Sequence, residues 1–213
     1  MEENPNARLM AFSDGVIAVA ITLLVLDIRL PEGAGEMADG ELLAALGGMW
    51  QRLLAFLISF AVIGVYWLNH HGKLRHLVKS DRHLLFINLV FLLFVCIVPF
   101  TTALIAENSG TVSTVIYAGG MIGCGLALTW LWRYAIAAGL VDTALDKQER
   151  NRLTLSTLTS SAIFAISIPL AFAHPDGAKF FWLLLVPANM ALRAVLAAWR
   201  KRWPAAAKGG QPK

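Results

Sequence analysis

Six apolar runs, each about as long as a bilayer is thick, constrain this chain more than any other feature. The runs are Met10–Leu30, Trp50–Asn69, Leu84–Ala106, Val112–Trp132, Leu153–Ala173 and Phe180–Trp199. A helix needs roughly 20 apolar residues to cross the hydrocarbon core. The hydrophobic fraction is 57% and the charged fraction 15%, whereas soluble domains average roughly 45–50% and about 25%. We therefore predict an all-α membrane protein with six transmembrane helices rather than a soluble enzyme.

The basic residues predict how these helices are oriented. If the N-terminus is cytoplasmic, 15 of the 18 Lys and Arg residues fall on the cytoplasmic side, and only Arg29, Arg52 and Lys179 fall outside. Such a bias is typical of membrane proteins. It predicts that both termini are cytoplasmic and accounts for the net charge of +4 without a nucleic-acid partner. The N-terminal segment lacks the basic region of a signal peptide, so we expect the first run to be retained.

The domain organisation follows from these runs. We predict one six-helix transmembrane domain over residues 1–203 and a short, disordered cytoplasmic tail over residues 204–213, where the composition is of low complexity.

The cysteines and histidines do not form a metal motif. Cys96 and Cys124 both lie inside apolar runs and lack metal-ligand spacing. His71 and His76 are five residues apart, which does not place them on one face of a helix. We therefore expect neither a metal enzyme nor a bound cofactor.

The first run begins with a polar motif. Its members are Arg8, Phe12, Ser13, Asp14 and Gly15. A carboxylate inside a membrane span is costly, which makes Asp14 a candidate functional residue. The candidates at similar depth to donate hydrogen bonds to it are Trp67, His70, His71 and Asn88. Two interpretations remain open: the cluster locks three helices together, which we favour, or it relays protons.

A second feature of the first run is an apolar stripe. On a helical wheel of about 100° per residue, Val19, Thr22, Leu23 and Leu26 occupy an arc of roughly 100°. Asp14 lies about 140° away from Val19 on this wheel. Periodicity alone favours ordinary helix packing for such a stripe.

Four segments carry a resemblance to a known family. They are RxxxFSDG from Arg8, AITLLVL from Ala20, YWxxHH from Tyr66 and NLVFLLFVCIVPFTT from Asn88. They resemble the prokaryotic branch of the lysosomal potassium channel family, transmembrane protein 175. The resemblance extends over essentially all six predicted spans.

The resemblance implies a fold and a set of pore residues. It implies six-helix subunits that form a homotetramer, with a pore that the first helix lines and without a TVGYG filter. It places Val19 at the narrowest constriction, Thr22 where K⁺ passes, and Leu23 and Leu26 at further apolar constrictions. Val19 departs from the isoleucine or leucine frequent in the family at that position.

We therefore expect a potassium-permeable cation channel in the bacterial inner membrane, whose only ligands are permeant monovalent cations. An alternative from a different class is a proton- or cation-coupled transporter that uses Asp14 and the histidines of the second helix. A third is a non-conducting membrane scaffold.

Overall fold

The computed structural model describes residues 6–31 and 33–202, almost all of them in helices or short connections. The helices are α1 (Ala7–Leu23), α2 (Asp39–Gly48), α3 (Trp50–Leu74), α4 (Arg82–Glu107), α5 (Thr111–Ala137), α6 (Lys147–Ala173), α7 (Pro175–Phe181) and α8 (Leu185–Arg202). Two 3₁₀ turns, Leu24–Asp27 and Trp182–Leu184, extend α1 and join α7 to α8. These two ranges contain no strand, and the all-α prediction is confirmed.

Five helices of the described ranges are long and apolar enough to cross a membrane: α1 with its 3₁₀ turn, α3, α4, α5 and α6. Each contains most of one predicted run. The sixth predicted run, Phe180–Trp199, starts in α7, passes through the second 3₁₀ turn and continues in α8. The count of six spans and the side of each terminus therefore stay predictions, and the predicted tail lies outside the described residues.

The predicted cytoplasmic end of the bundle is tied together by its connections. The Val78 amide donates to the Leu140 carbonyl at 2.9 Å, which joins the α3–α4 connection to the α5–α6 connection. The Asn6 side chain donates to the Leu77 carbonyl at 2.9 Å, just before α1 begins. The start of α1 is therefore held at a defined place beside α3 and α4.

The start of α4 is fixed by Asp81. Its carboxylate accepts the Leu84 amide at 2.8 Å and, through its other oxygen, the Tyr134 hydroxyl at 2.7 Å. Both bonds favour the ionised carboxylate and hold the pKa of Asp81 below its usual value, the backbone bond contributing more. This N-cap determines where Asn88, less than two turns further on, meets the neighbouring helices.

The buried apolar side chains form two clusters. Ile17 and Ala20 of α1 and Leu24 of its 3₁₀ turn belong to the larger cluster, with side chains of α3, α4 and α5. Leu9 belongs to the smaller one, near the connections described above. Ser13 lies between Leu9 and Ile17 along α1 and is itself buried. Along α1, the buried Ser13 therefore marks the boundary between the two apolar clusters.

Candidate functional site: the two sides of the first helix

The helix α1 has a packed side and an open side. The buried residues of α1 and its 3₁₀ turn are Leu9, Ser13, Ile17, Ala20 and Leu24. On the opposite side, Val19 is 57% exposed, Leu23 43% and Leu26 65%. The described residues of this chain therefore leave much of the stripe identified on the helical wheel uncovered.

The structure divides the polar motif between these sides. Ser13 and Asp14 turn towards α3 and α4, whereas Phe12 and Gly15 are exposed on the open side. The sequence could have predicted that Phe12 lies on the open side, because positions 12, 19 and 26 are seven residues apart and fall on one face of a helix. Arg8 is exposed at the start of α1.

An open cleft of about 490 Å³ runs along this side of α1. Its lining residues are Ala11, Phe12, Gly15, Val16, Val19, Ala20, Leu23 and Cys96. Cys96 comes from α4, and sequence reasoning assigned it no role. A continuous apolar surface of this kind is covered by lipid or by another protein surface.

Asp14 is held by an indole. The Trp67 Nε1 atom donates to the Asp14 Oδ1 atom at 2.8 Å. Asp14 is half-buried and Trp67 is 37% exposed, so the bond lies at the edge of the packed side. It joins α1 to α3.

A second chain of hydrogen bonds joins α3, α4 and α1. The His70 Nε2 atom donates to the Asn88 Oδ1 atom at 2.8 Å, and the Asn88 Nδ2 atom donates to the Ser13 Oγ atom at 3.0 Å. The Ser13 hydroxyl donates to the Leu9 carbonyl at 2.9 Å. All three side chains are buried, and the His70 ring stacks on Phe91 with a centroid separation of 4.9 Å. The chain ends on a backbone carbonyl of α1.

His71 does not take part in either chain. Its ring lies 5.7 Å from the Trp67 ring, centroid to centroid, and its Nδ1 atom has no hydrogen-bond partner in the described residues. Within residues 6–31 and 33–202, no three His, Cys, Asp or Glu side chains come together as metal ligands. The structure thus brings together Trp67 with Asp14, and His70 with Asn88 and Ser13, and leaves His71 beside them.

Thr22 is the polar member of the open side. Its hydroxyl donates to the Val19 carbonyl at 2.9 Å, one turn earlier in α1. Because the hydrogen is used within the helix, the lone pairs of the oxygen remain available to an outside ligand. Thr22 can therefore present an oxygen to a cation.

Lys73 is a buried residue that sequence reasoning placed only among the cytoplasmic bases. It is fully buried and donates to the Thr157 hydroxyl of α6. Lys73 follows His70 by three residues and so shares its face of α3. That spacing could have indicated that Lys73 is buried. A lysine near a helix end, however, more often extends its long side chain so that the ammonium group reaches water.

Known proteins resemble this chain along most of its length. The family model described as "Endosomal/lysosomal potassium channel TMEM175" matches residues 8–99. A potassium channel of Streptomyces collinus is 37% identical over 175 residues, which cover 79% of this chain and 84% of the relative. The human endosomal/lysosomal proton channel TMEM175 is 41% identical over 93 residues, covering 41% of this chain and 18% of that protein.

A solved structure shares the fold. The crystal structure of a lysosomal potassium-selective channel TMEM175 homolog from Chamaesiphon minutus has a TM-score of 0.76 and 29% sequence identity. The superposition covers 91% of this chain and 99% of that chain.

Proposed function

Because this chain belongs to the TMEM175 family of ion channels, we propose that it forms a potassium-permeable channel in the bacterial inner membrane. The cation specificity is supported by the bacterial relative, which is named a potassium channel. The chain itself is a multi-pass membrane protein, with several apolar helices of spanning length.

The open side of α1 is the observation that carries this proposal. Val19, Leu23 and Leu26 are exposed on a helix whose opposite side is packed. One helix cannot enclose a pore, but copies arranged around a cyclic axis can. We propose a homotetramer in which four copies of α1 turn their open sides towards a central axis.

In that arrangement, Val19 forms the narrowest ring. An apolar ring offers nothing that replaces the lost water of a hydrated ion, so it gates by dewetting. Leu23 at the end of α1 and Leu26 in its 3₁₀ turn form additional apolar rings. The pore then excludes ions until α1 shifts and withdraws these side chains.

Thr22 supplies the ion-binding element of the proposed pore. Four hydroxyl oxygens at one level replace part of the hydration shell of K⁺. The hydrogen bond from Thr22 to the Val19 carbonyl supports this role, because it directs the hydrogen into the helix. K⁺ then dwells transiently near Thr22, without a TVGYG filter.

In this proposal, the hydrogen bonds around Ser13 and Asp14 anchor α1 and do not relay protons. Asp14 accepts from Trp67, and an indole N–H does not release its proton at ordinary pH. The chain from His70 ends at the Leu9 carbonyl, which also holds no exchangeable proton. Both features support a role in fixing α1 against α3 and α4.

Reconstitution of the purified protein tests the proposal. We expect a tetramer by native mass measurement, unitary current steps in planar bilayers, and potassium flux into liposomes. A stable monomer or dimer as the only species contradicts the central pore. Potassium flux without current steps favours the transporter that uses Asp14 and the histidines, and absence of flux favours a scaffold.

A further inference from the structure

A cleft with charges of both signs lies at the end of α1 remote from the polar motif. One part, of about 420 Å³, is lined by Asp27, Arg29, Arg52 and Glu107 among others. An adjoining part of about 640 Å³ shares Arg29, Arg52 and Glu107 with it. The two parts therefore form one surface, which we call the outer cleft because it lies at the predicted outer side.

The four charged side chains of the outer cleft do not neutralise one another. The ion pairs of the described residues are Arg152–Glu149 and Lys179–Asp176, and none of the four joins an ion pair or a side-chain hydrogen bond there. Opposite charges thus face one open volume without direct contact. They are available to a ligand that carries both signs.

The 3₁₀ turn at the end of α1 directs Asp27 into this cleft. In a 3₁₀ helix the side chains at i and i+3 eclipse one another, so Asp27 lies above Leu24. Leu24 is fully buried, whereas Leu23 and Leu26 are exposed on the open side. Asp27 therefore points towards α3 and α4, which supply Arg52 and Glu107. The outer cleft is separate from the stripe assigned to the pore.

The outer cleft lies at the boundary of the membrane. It is formed where the 3₁₀ turn ends, where α3 begins and where α4 ends. The exposed Leu30 lines it. Trp50, the first residue of α3, is also exposed, and indoles concentrate at membrane interfaces. A lipid headgroup at this level reaches the charges while its acyl chains lie along the exposed apolar side chains of the helices.

We propose that the outer cleft binds a lipid headgroup that carries a phosphate and a primary ammonium, that of phosphatidylethanolamine. Arg29 and Arg52 bind the phosphate, since guanidinium groups match its oxygens. Asp27 and Glu107 accept hydrogen bonds from the ammonium. This zwitterion brings one opposite charge to the arginine pair and one to the carboxylate pair. An anionic headgroup without an ammonium leaves the two carboxylates without a counter-charge, and a simple cation leaves the two arginines without one.

A headgroup series on the unaltered protein tests the proposal without a variant. The full chain is reconstituted in nanodiscs, and binding is measured by native mass spectrometry with phosphatidylethanolamine, its N,N,N-trimethyl form phosphatidylcholine, and phosphatidylglycerol. We expect phosphatidylethanolamine to bind about tenfold more tightly than either other lipid, because each charge-assisted hydrogen bond contributes at least that much. Equal binding of the three lipids, or tighter binding of phosphatidylglycerol, overturns the proposal.

Two double variants test the phosphate contacts and the ammonium contacts of the headgroup separately. Arg29→Gln with Arg52→Gln should weaken binding of every phospholipid about tenfold or more. Asp27→Asn with Glu107→Gln should abolish the preference for phosphatidylethanolamine over phosphatidylcholine and retain phosphate binding. The matched control is Glu36→Gln with Asp39→Asn, two exposed carboxylates of the same predicted outer region, which should change neither quantity. A preference that survives loss of Asp27 and Glu107 overturns the assignment of the ammonium site.

Discussion

The two sides of α1 are similar in sequence and opposite in environment. Ile17 and Val19 are both β-branched apolar residues two positions apart, yet Ile17 is 1% exposed and Val19 is 57% exposed. Ile17 packs into the larger apolar cluster with side chains of the neighbouring helices. Apolar character alone therefore does not tell which side of a membrane helix packs against its own subunit.

The polar residues of α1 follow the same division. Ser13 and Asp14 are bonded to α3 and α4 on or beside the packed side. Thr22, on the open side, donates to a carbonyl of its own helix. Polar groups on the packed side therefore connect helices, while the polar group on the open side bonds within its own helix and leaves its oxygen lone pairs exposed. Substitutions on the two sides should therefore have separable effects. Those on the packed side should change stability, and those on the open side should change conduction.

The largest effect is expected from Ile17→Ala. Removing a buried isoleucine leaves a cavity, and the free energy of unfolding should fall by about 2–5 kcal/mol. The reversal potential under a potassium/sodium gradient should stay unchanged. Thermal unfolding in detergent and bilayer recordings measure the two quantities.

Val19→Ala is the matched control for Ile17→Ala, and its stability should stay within about 0.5 kcal/mol of the unaltered protein. A shift in selectivity from Ile17→Ala as large as that from a Val19 substitution would mean that the pore side has been assigned wrongly.

Val19→Asn should act on conduction. A polar amide ring holds water in the constriction, so conductance should rise by roughly tenfold, which equals about 1.4 kcal/mol. The reversal potential should move towards zero because a wet ring discriminates less between K⁺ and Na⁺. Single-channel recording measures both; an unchanged conductance would place the constriction elsewhere.

Asp14→Ala should destabilise the attachment of α1 to α3. It leaves the Trp67 indole N–H without its acceptor, at a cost of about 1 kcal/mol, the lower end of the range because Trp67 is partly exposed. In a Trp67→Phe background the same change should cost less, which a double-mutant cycle measures. If Asp14→Ala keeps full stability but loses proton-dependent flux, the relay interpretation is right and the anchoring role is wrong.

The smallest effect is expected from Thr22→Val, which keeps the shape and removes the hydroxyl. The potassium-to-sodium permeability ratio should fall by roughly threefold, equal to about 0.7 kcal/mol, together with a lower conductance. Thr22→Ser keeps the oxygen and is the control that should restore the ratio. A ratio that is unchanged in both variants would exclude Thr22 from ion selection.

Much of the candidate site was predictable because its signals are local. The spacing of Val19, Thr22, Leu23 and Leu26 already set them apart from Asp14 on one helix, and the structure exposes them together. The sequence could not predict which donor reaches Asp14, because several candidates lie at a similar depth in the membrane. Only the rotation of α3 about its axis brings Trp67 to Asp14 and directs His70 to Asn88 instead.

By itself, the sequence determined the features that depend on neighbouring residues along the chain. These are the apolar runs long enough to span a bilayer, the periodicity of the stripe, and the motif that carries the family resemblance.

The tertiary structure decided the features that depend on how the helices pack against one another. It buried Lys73 and placed a 3₁₀ turn in the last apolar run after Phe181. It also gathered Asp27, Arg52 and Glu107 from three separate elements into one cleft. Such contacts join residues far apart in the chain, and helix periodicity fixes neither the rotation of a helix nor its neighbour.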